Sequence, residues 1–336
     1  MAILTRFLVR VATTAVTLFG VAVIVFIVVR VVPGNPIAMM LPPGATGADI
    51  AHLEAMYGLD KSIPQQFVIW LLAVLHGDFG TSISLRQPVL GLVLSSLPAT
   101  LELASMALVI AVLIGGGAAL IAARYRDTRV ETVIDVISGA ALSIPDFLWG
   151  LLLIIVFGVL IPVFSISGRI SPDLDLNFDT RFYLIESLAR LRLDITANLL
   201  AHMVMPALSL ALPLAAIIGL VLKQSLKETM ELDYVTLART KGYGETRVIL
   251  REALRNALLP TLTLTGVQFT FLIGGTVIVE RLFSYEGLGN MAIDAVINRD
   301  LPLIQGIVIC FAVIFTVINL VVDLTYAALN PRLRHV

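Results

Sequence analysis

The sequence predicts an all-α integral membrane protein of about six transmembrane helices. Three observations predict it. Of the 336 residues, 58% are apolar and only 14% are charged, against about 45–50% and about 25% in soluble domains. The mean hydropathy is +0.96. Six stretches reach the roughly 20 mostly apolar residues that a bilayer-spanning helix needs.

The first run, 7–32, is longer than the apolar centre of a signal peptide and no small-residue cleavage site follows it, so it is expected to be retained. The second is 98–123. The third, 132–162, contains Pro145 and is expected to be kinked or tilted. The fourth, fifth and sixth are 199–222, 257–279 and 303–328. Residues 33–97 are too long for a plain connection. Two amphipathic pieces are expected there, near 48–57 and 64–76, separated by Gly58 and Pro64. Residues 164–198 are acidic at their middle, with Asp173, Asp175 and Asp179. Gly115, Gly116 and Gly117, and Gly274 and Gly275, are expected to let helices approach closely.

Orientation follows from Lys and Arg. With both termini inside, fourteen cationic side chains fall in short cytoplasmic segments and nine in the much longer outer ones. Both termini are therefore expected in the cytoplasm. A net charge of -1 gives no electrostatic basis for binding nucleic acid. The single cysteine, Cys310, excludes a disulfide framework and is expected to pack between helices. His52, His76, His202 and His335 lack metal-ligand spacing. No G-x-x-x-x-G-K-[ST], G-x-S-x-G or H-E-x-x-H sequence occurs, so neither a phosphate-cradling loop nor these two hydrolase sites can be read. Catalytic residues, metal ligands and cofactors are accordingly expected to be absent from this chain.

The most informative connection is 223–256, KQSLKETMELDYVTLARTKGYGETRVILREALRN. Asp233 is a candidate N-cap. Residues 234–241 fit two helical turns, and Gly242 fits the left-handed position that closes them. Tyr234, Leu237 and Ala238 fall at i, i+3 and i+4 and make one small apolar face. Such a face either docks in a partner's groove or packs on the chain's own helix ends; patterning leaves both open. Arg247, Arg251 and Arg255 are spaced by four and form a basic stripe, which suits leaflet phosphates or ordinary positive-inside bias.

The run DYVTLARTKG, followed by RVILREALRNALLP, resembles the cytoplasmic signature loop of type I ABC importer permeases. That family's pattern is Glu-Ala-Ala, three residues, then Gly; of its strict form Ala238 and Gly242 match here. Further stretches are similar to the dipeptide, oligopeptide, nickel and glutathione branch: VVPGNP at 31–36, YGLDKSIPQQF at 57–67, GDFGTSI at 77–83, LPATLELA at 97–104, SIPDFLWG at 143–150 and ERLFSYEGLGN at 280–290. The long segment after the first helix resembles the first of the two unlike permeases of such systems. The resemblance implies a division into an N-terminal helix with a periplasmic segment (1–95), a permease core (96–329) and a cytoplasmic tail (330–336). It implies that Asp233, Tyr234, Leu237, Ala238, Arg239, Lys241 and Gly242 form a coupling helix docked on an ATPase. It implies that Phe283, Ser284, Tyr285, Glu286, Gly287, Leu288 and Gly289 face an extracytoplasmic solute-binding protein. The implied partners are a second permease, two ABC ATPases that hold ATP and Mg, the binding protein and membrane lipid, in a bacterial inner membrane.

Acids inside apolar spans are costly, and they mark cavities, partners or internal hydrogen bonds. Asp146, directly after Pro145, and Glu102 are the candidates for a translocation path, with internal bonding as the alternative. Asp135 and Asp323 fall nearer the expected cytoplasmic ends. The competing function is an ATP-independent secondary transporter or channel, which needs ion-coupling acids, broken paired helices or an inverted repeat.

Overall fold

A computed structural model describes residues 2–31, 61–174 and 177–329, and these are helical almost throughout. The helices are α1 (Ala2–Val31), α2 (Ile63–Leu75), α3 (Val89–Arg124), α4 (Arg129–Ser143), α5 (Asp146–Leu160), α6 (Tyr183–Ala189), α7 (Leu193–Met230), α8 (Asp233–Thr240), α9 (Glu245–Leu282), α10 (Leu288–Ile297) and α11 (Leu301–Leu329). Helices α3, α7 and α9, and α11 over Leu301–Val322, are long and apolar enough to cross a membrane. Helix α1 has 30 residues, about 45 Å at ~1.5 Å each. The expected piece near 48–57 and the tail 330–336 lie outside the described residues.

The third expected span differs from a kinked rod. It is broken into α4 and α5, which meet at 101°. Pro145 causes the break: it lacks an amide hydrogen, and it holds Ile144 in extended backbone, φ -100° and ψ 121°. The last part of α5, Ile154–Leu160, is π-helical. Helix α2 also differs from expectation, because apart from Gln65 and Gln66 in its first turn it is apolar rather than amphipathic.

The chain forms two compact units, Met1–Leu97 with Met291–Thr316, and Pro98–Asn290 with Val317–Val336. In the first, Phe67 and Trp70 of α2 pack on Phe19 and Phe26 of α1, with ring centroids 5.2–5.9 Å apart. Helix α2 opens with Gln65 reaching back to the Ser62 amide and with Pro64 in its first turn. Elsewhere in this unit the Asp300 carboxylate is buried and accepts from the Ser82 and Ser84 hydroxyls at 2.6 and 2.7 Å. Burial pushes its pKa up, but the Ser82 and Ser84 hydrogen bonds outweigh this and hold it below the ordinary aspartate range.

The second unit is built around α7, most of whose residues are buried beneath α4, α5 and α9. At Gly115 the backbones of α3 and α7 touch: a Cβ there would sit 2.2 Å from the Ala215 carbonyl. Gly116, Gly117 and Gly274 do not meet the expectation of close approach, since the space beside each is open. Gly266 instead takes that role, against Val322. Lys223 of α7 ties α4 down, donating to Asp135 at 2.6 Å and pairing with Glu131 at 3.0 Å.

Candidate functional site

Helix α8 stands on a buried apolar cluster formed by Ala119, Leu222, Leu226, Met230, Val248, Ile249 and Ala253, into which it sends Val235 and Ala238. The face anticipated from spacing is therefore divided. Ala238 points inward, 5% exposed, whereas Tyr234 and Leu237 are 38% and 54% exposed. Val235, which the i, i+3, i+4 pattern omitted, is the inward anchor. Leu232 is the N-cap, and Asp233 is the first helical residue rather than the cap. A carboxylate there still favours the helix N-terminus.

The closing turn matches the sequence. Gly242 has φ +79° and its amide donates to the Arg239 carbonyl at 2.9 Å. Arg239 ties the turn to the start of α9 by donating to Glu245 at 2.9 Å. The Tyr234 hydroxyl accepts from Asn256 at 2.7 Å, so the exposed ring is fixed in direction. Lys241 is exposed at the helix end. Arg247 stacks over the Tyr243 ring at 3.9 Å. Arg247, Arg251 and Arg255 are all exposed, but Val248–Ala253 is π-helical, so they do not follow an α-helical stripe.

The turn between α9 and α10 is largely buried. Phe283, Tyr285, Gly287, Leu288 and Gly289 face inward, and Ser284 and Glu286 are exposed. The residue that organises this turn is Glu280, which sequence reasoning left without a role. Its buried carboxylate accepts from the Thr100 hydroxyl at 2.7 Å and from the Gly289 and Asn290 amides at 2.8 and 3.0 Å. Thr100 in turn accepts from the Leu288 amide at 2.8 Å. Thr100 and Glu280 thus satisfy the free N–H groups of the first turn of α10, as a distant cap. Gly287 and Gly289 leave room for the carboxylate: a Cβ would come within 2.3 and 2.9 Å of its oxygen. The available signal was an acid at the end of an apolar run with glycines seven and nine residues on.

The two path candidates part company. Glu102 is buried and engaged, accepting from Arg169 Nη2 at 2.7 Å and from the Leu184 amide at 2.9 Å. Arg169 also donates to the Arg181 carbonyl and lies over the Tyr183 ring at 4.1 Å. This is an internal brace for segment 164–198, the internal bonding that stood as the alternative for Glu102. Its partner Arg169 was another residue the sequence left unassigned. Asp146 sits at the break between α4 and α5, half-buried, in the first turn of α5. One of its oxygens accepts from the Phe147 amide at 2.8 Å. The other lies 3.4 Å from where a Cβ on Gly275 would be. No group of three or more metal-ligating side chains occurs among the described residues.

Residues 115–335 match the family described as binding-protein-dependent transport system inner membrane component, and residues 4–104 match its N-terminal companion. The chain is 35% identical over 321 residues to the di/tripeptide transport system permease protein DppB of Pseudomonas aeruginosa, with 95% of each chain covered. It is 36% identical to the dipeptide transport system permease protein DppB of Escherichia coli K12, and 34% identical to that organism's glutathione transport system permease protein GsiC. Coverage is again 95% of both chains in each case. A multi-pass helical chain with this extent of similarity is a permease subunit of an ABC importer, and it belongs to the binding-protein-dependent transport system inner membrane components, in the branch that contains DppB and GsiC.

Proposed function

We propose that this permease pairs with a second, homologous one, that two ABC ATPases carrying ATP and Mg drive the pair, and that α8 is the coupling helix. The observation that carries this reading is the division of α8: Val235 and Ala238 lock it to the body, while Tyr234 and Leu237 remain outward and firmly aimed. A rigid apolar knob on an otherwise charged loop fits a groove on a partner. ATP-driven closure of the partners stabilises one of two transporter states, and no chemistry on cargo is needed. The chain's own role is passage, with hydrolysis left to the ATPases. The relatives' cargoes make peptides or a related small solute the proposed substrate class. The exposed Ser284 and Glu286 are the parts of the 283–289 turn available to a solute-binding protein.

In this reading both termini and α8 are cytoplasmic. A cysteine at Thr240, in a chain freed of Cys310, is expected to react in intact cells with membrane-permeant thiol reagents only, and to crosslink to an ATPase subunit. Reaction with an impermeant reagent from outside would overturn the orientation and the coupling role together.

Asp146 is the proposed path residue, since the broken span leaves its carboxylate half-exposed beside α9. Hydrogen bonds to a charged group contribute about 1.5–3 kcal/mol, so Asp146→Asn is expected to lower uptake about tenfold or more with assembly unchanged. Uptake equal to wild type removes Asp146 from the path.

A further inference from the structure

Helix α2 has 13 residues, no charge and no buried residue. An apolar helix of this length is a core helix or a membrane-interface or re-entrant segment, and at about 20 Å it is too short to cross the hydrocarbon. Among the described residues nothing buries a residue of α2, which does not fit a core helix. Its face away from Phe67 and Trp70 carries Gln65, Val68, Ile69, Leu72 and Leu75, with Leu72 and Leu75 51% and 72% exposed.

The depth of α2 follows from where it touches α1. Phe67 lies between Phe19 and Phe26, at centroid distances of 5.9 and 5.2 Å. Phe19 is twelve residues from the end of α1 at Val31 and Phe26 is five, or about 18 and 8 Å along the axis. Phe67 is therefore held beside the interior of the apolar run, well short of its end. The face of α1 around it is apolar and exposed as well, with Val16 71% and Ile24 62% exposed. With α1 as the first membrane span that its apolar run predicts, the outer face of α2 continues a lipid-facing surface. Protein interfaces are only about 56–65% apolar and carry polar rims; this face has no charged residue, and the charges nearest in sequence, Lys61 and Asp78, stand beyond the helix ends.

We propose that α2 is a lipid-embedded half-helix, its outer face covered by the acyl chains that surround α1. The aromatic lock between Phe67, Trp70, Phe19 and Phe26 holds it in place.

The test uses the assembled importer in bilayer discs, with Cys310 and the partner cysteines replaced. Spin labels are placed at Leu72→Cys and Leu75→Cys, with Val16→Cys as the reference on α1. Collisions with molecular oxygen are expected to exceed those with a water-soluble nickel chelate several-fold at 72 and 75, as at position 16. Nickel collisions equal to or above oxygen would place the face in water and overturn the proposal. Suppression of both probes would mean that a protein partner covers it and would overturn the proposal equally. Neither outcome bears on the coupling role of α8.

Discussion

Replacing Glu280 with alanine is expected to abolish the ordered turn between α9 and α10, and uptake with it. The carboxylate is the shared acceptor for Thr100, Gly289 and Asn290. Its removal leaves two backbone amides and a hydroxyl without an acceptor in a buried site. Each unpaired group costs about 1–3 kcal/mol, and the total is comparable with the ~5–15 kcal/mol by which whole domains are stable. Glu280→Gln keeps the shape and one acceptor oxygen, so it should be milder. It can still receive the two amides if its own amide group turns to the Thr100 oxygen. Gly289→Ala should resemble Glu280→Ala, because its Cβ would lie 2.5 Å from the Val277 backbone. Thermal unfolding in detergent and uptake in vesicles measure both effects. A Glu280→Ala protein with wild-type unfolding temperature and uptake would show that the cap is dispensable.

Leu237→Glu is expected to release the ATPases while leaving the permease folded. Leu237 is exposed, so its replacement removes little internal packing. It would, however, place a charge in a contact that has to be dry, and desolvating an unpaired charge costs several kcal/mol. At ~1.4 kcal/mol per factor of ten, recovery of ATPase with the permease should fall at least about tenfold, and substrate-stimulated hydrolysis and uptake should fall in parallel. Ala238→Glu should behave differently, by burying a carboxylate among Leu226, Val235 and Ala253. Its expected phenotype is loss of folded protein from the membrane. Gly242→Asp is intermediate: the space is open, and the left-handed turn alone costs about 1–2 kcal/mol. Wild-type ATPase recovery with Leu237→Glu would mean that the docking face lies elsewhere.

The contrast between Leu237 and Ala238 indicates what was legible in the sequence. Composition and the apolar runs identify the class and the spans, because the cost of exposing backbone to lipid leaves few alternatives. Gly242 announces its turn through backbone geometry, a local property. Which side of α8 faces inward depends on α7, α9 and the end of α3, and a period of 3.6 residues is silent on that. Spacing grouped Ala238 with Tyr234 and Leu237, and the buried cluster separates them. Glu280 and Arg169 were missed for a related reason. Their partners, Thr100 and Glu102, are 180 and 67 residues away, and an acid or a guanidinium does not advertise a distant acceptor or donor. The 101° break was only half legible: Pro145 signals a disturbance, but both α4 and α5 also rest on α7, a contact far along the chain that local sequence does not announce.

That break has a bearing on how the chain enters the bilayer. Helix α4 has 15 residues and α5 as many, so each half is about 22 Å long and falls short of the ~30 Å hydrocarbon layer. Bent at 101°, the two halves do not add to one straight crossing. What they lean on is α7, including the Lys223 clasp on α4, and α7 is synthesised only from Leu193 onward. During translation there is thus an interval in which 129–160 has left the ribosome and its support has not. Insertion of 129–160 is therefore expected to depend on α7 rather than to finish on its own. The segment is expected to settle only when the later helix arrives, and a nascent chain that stops short of α7 lacks the Lys223 contact that holds α4.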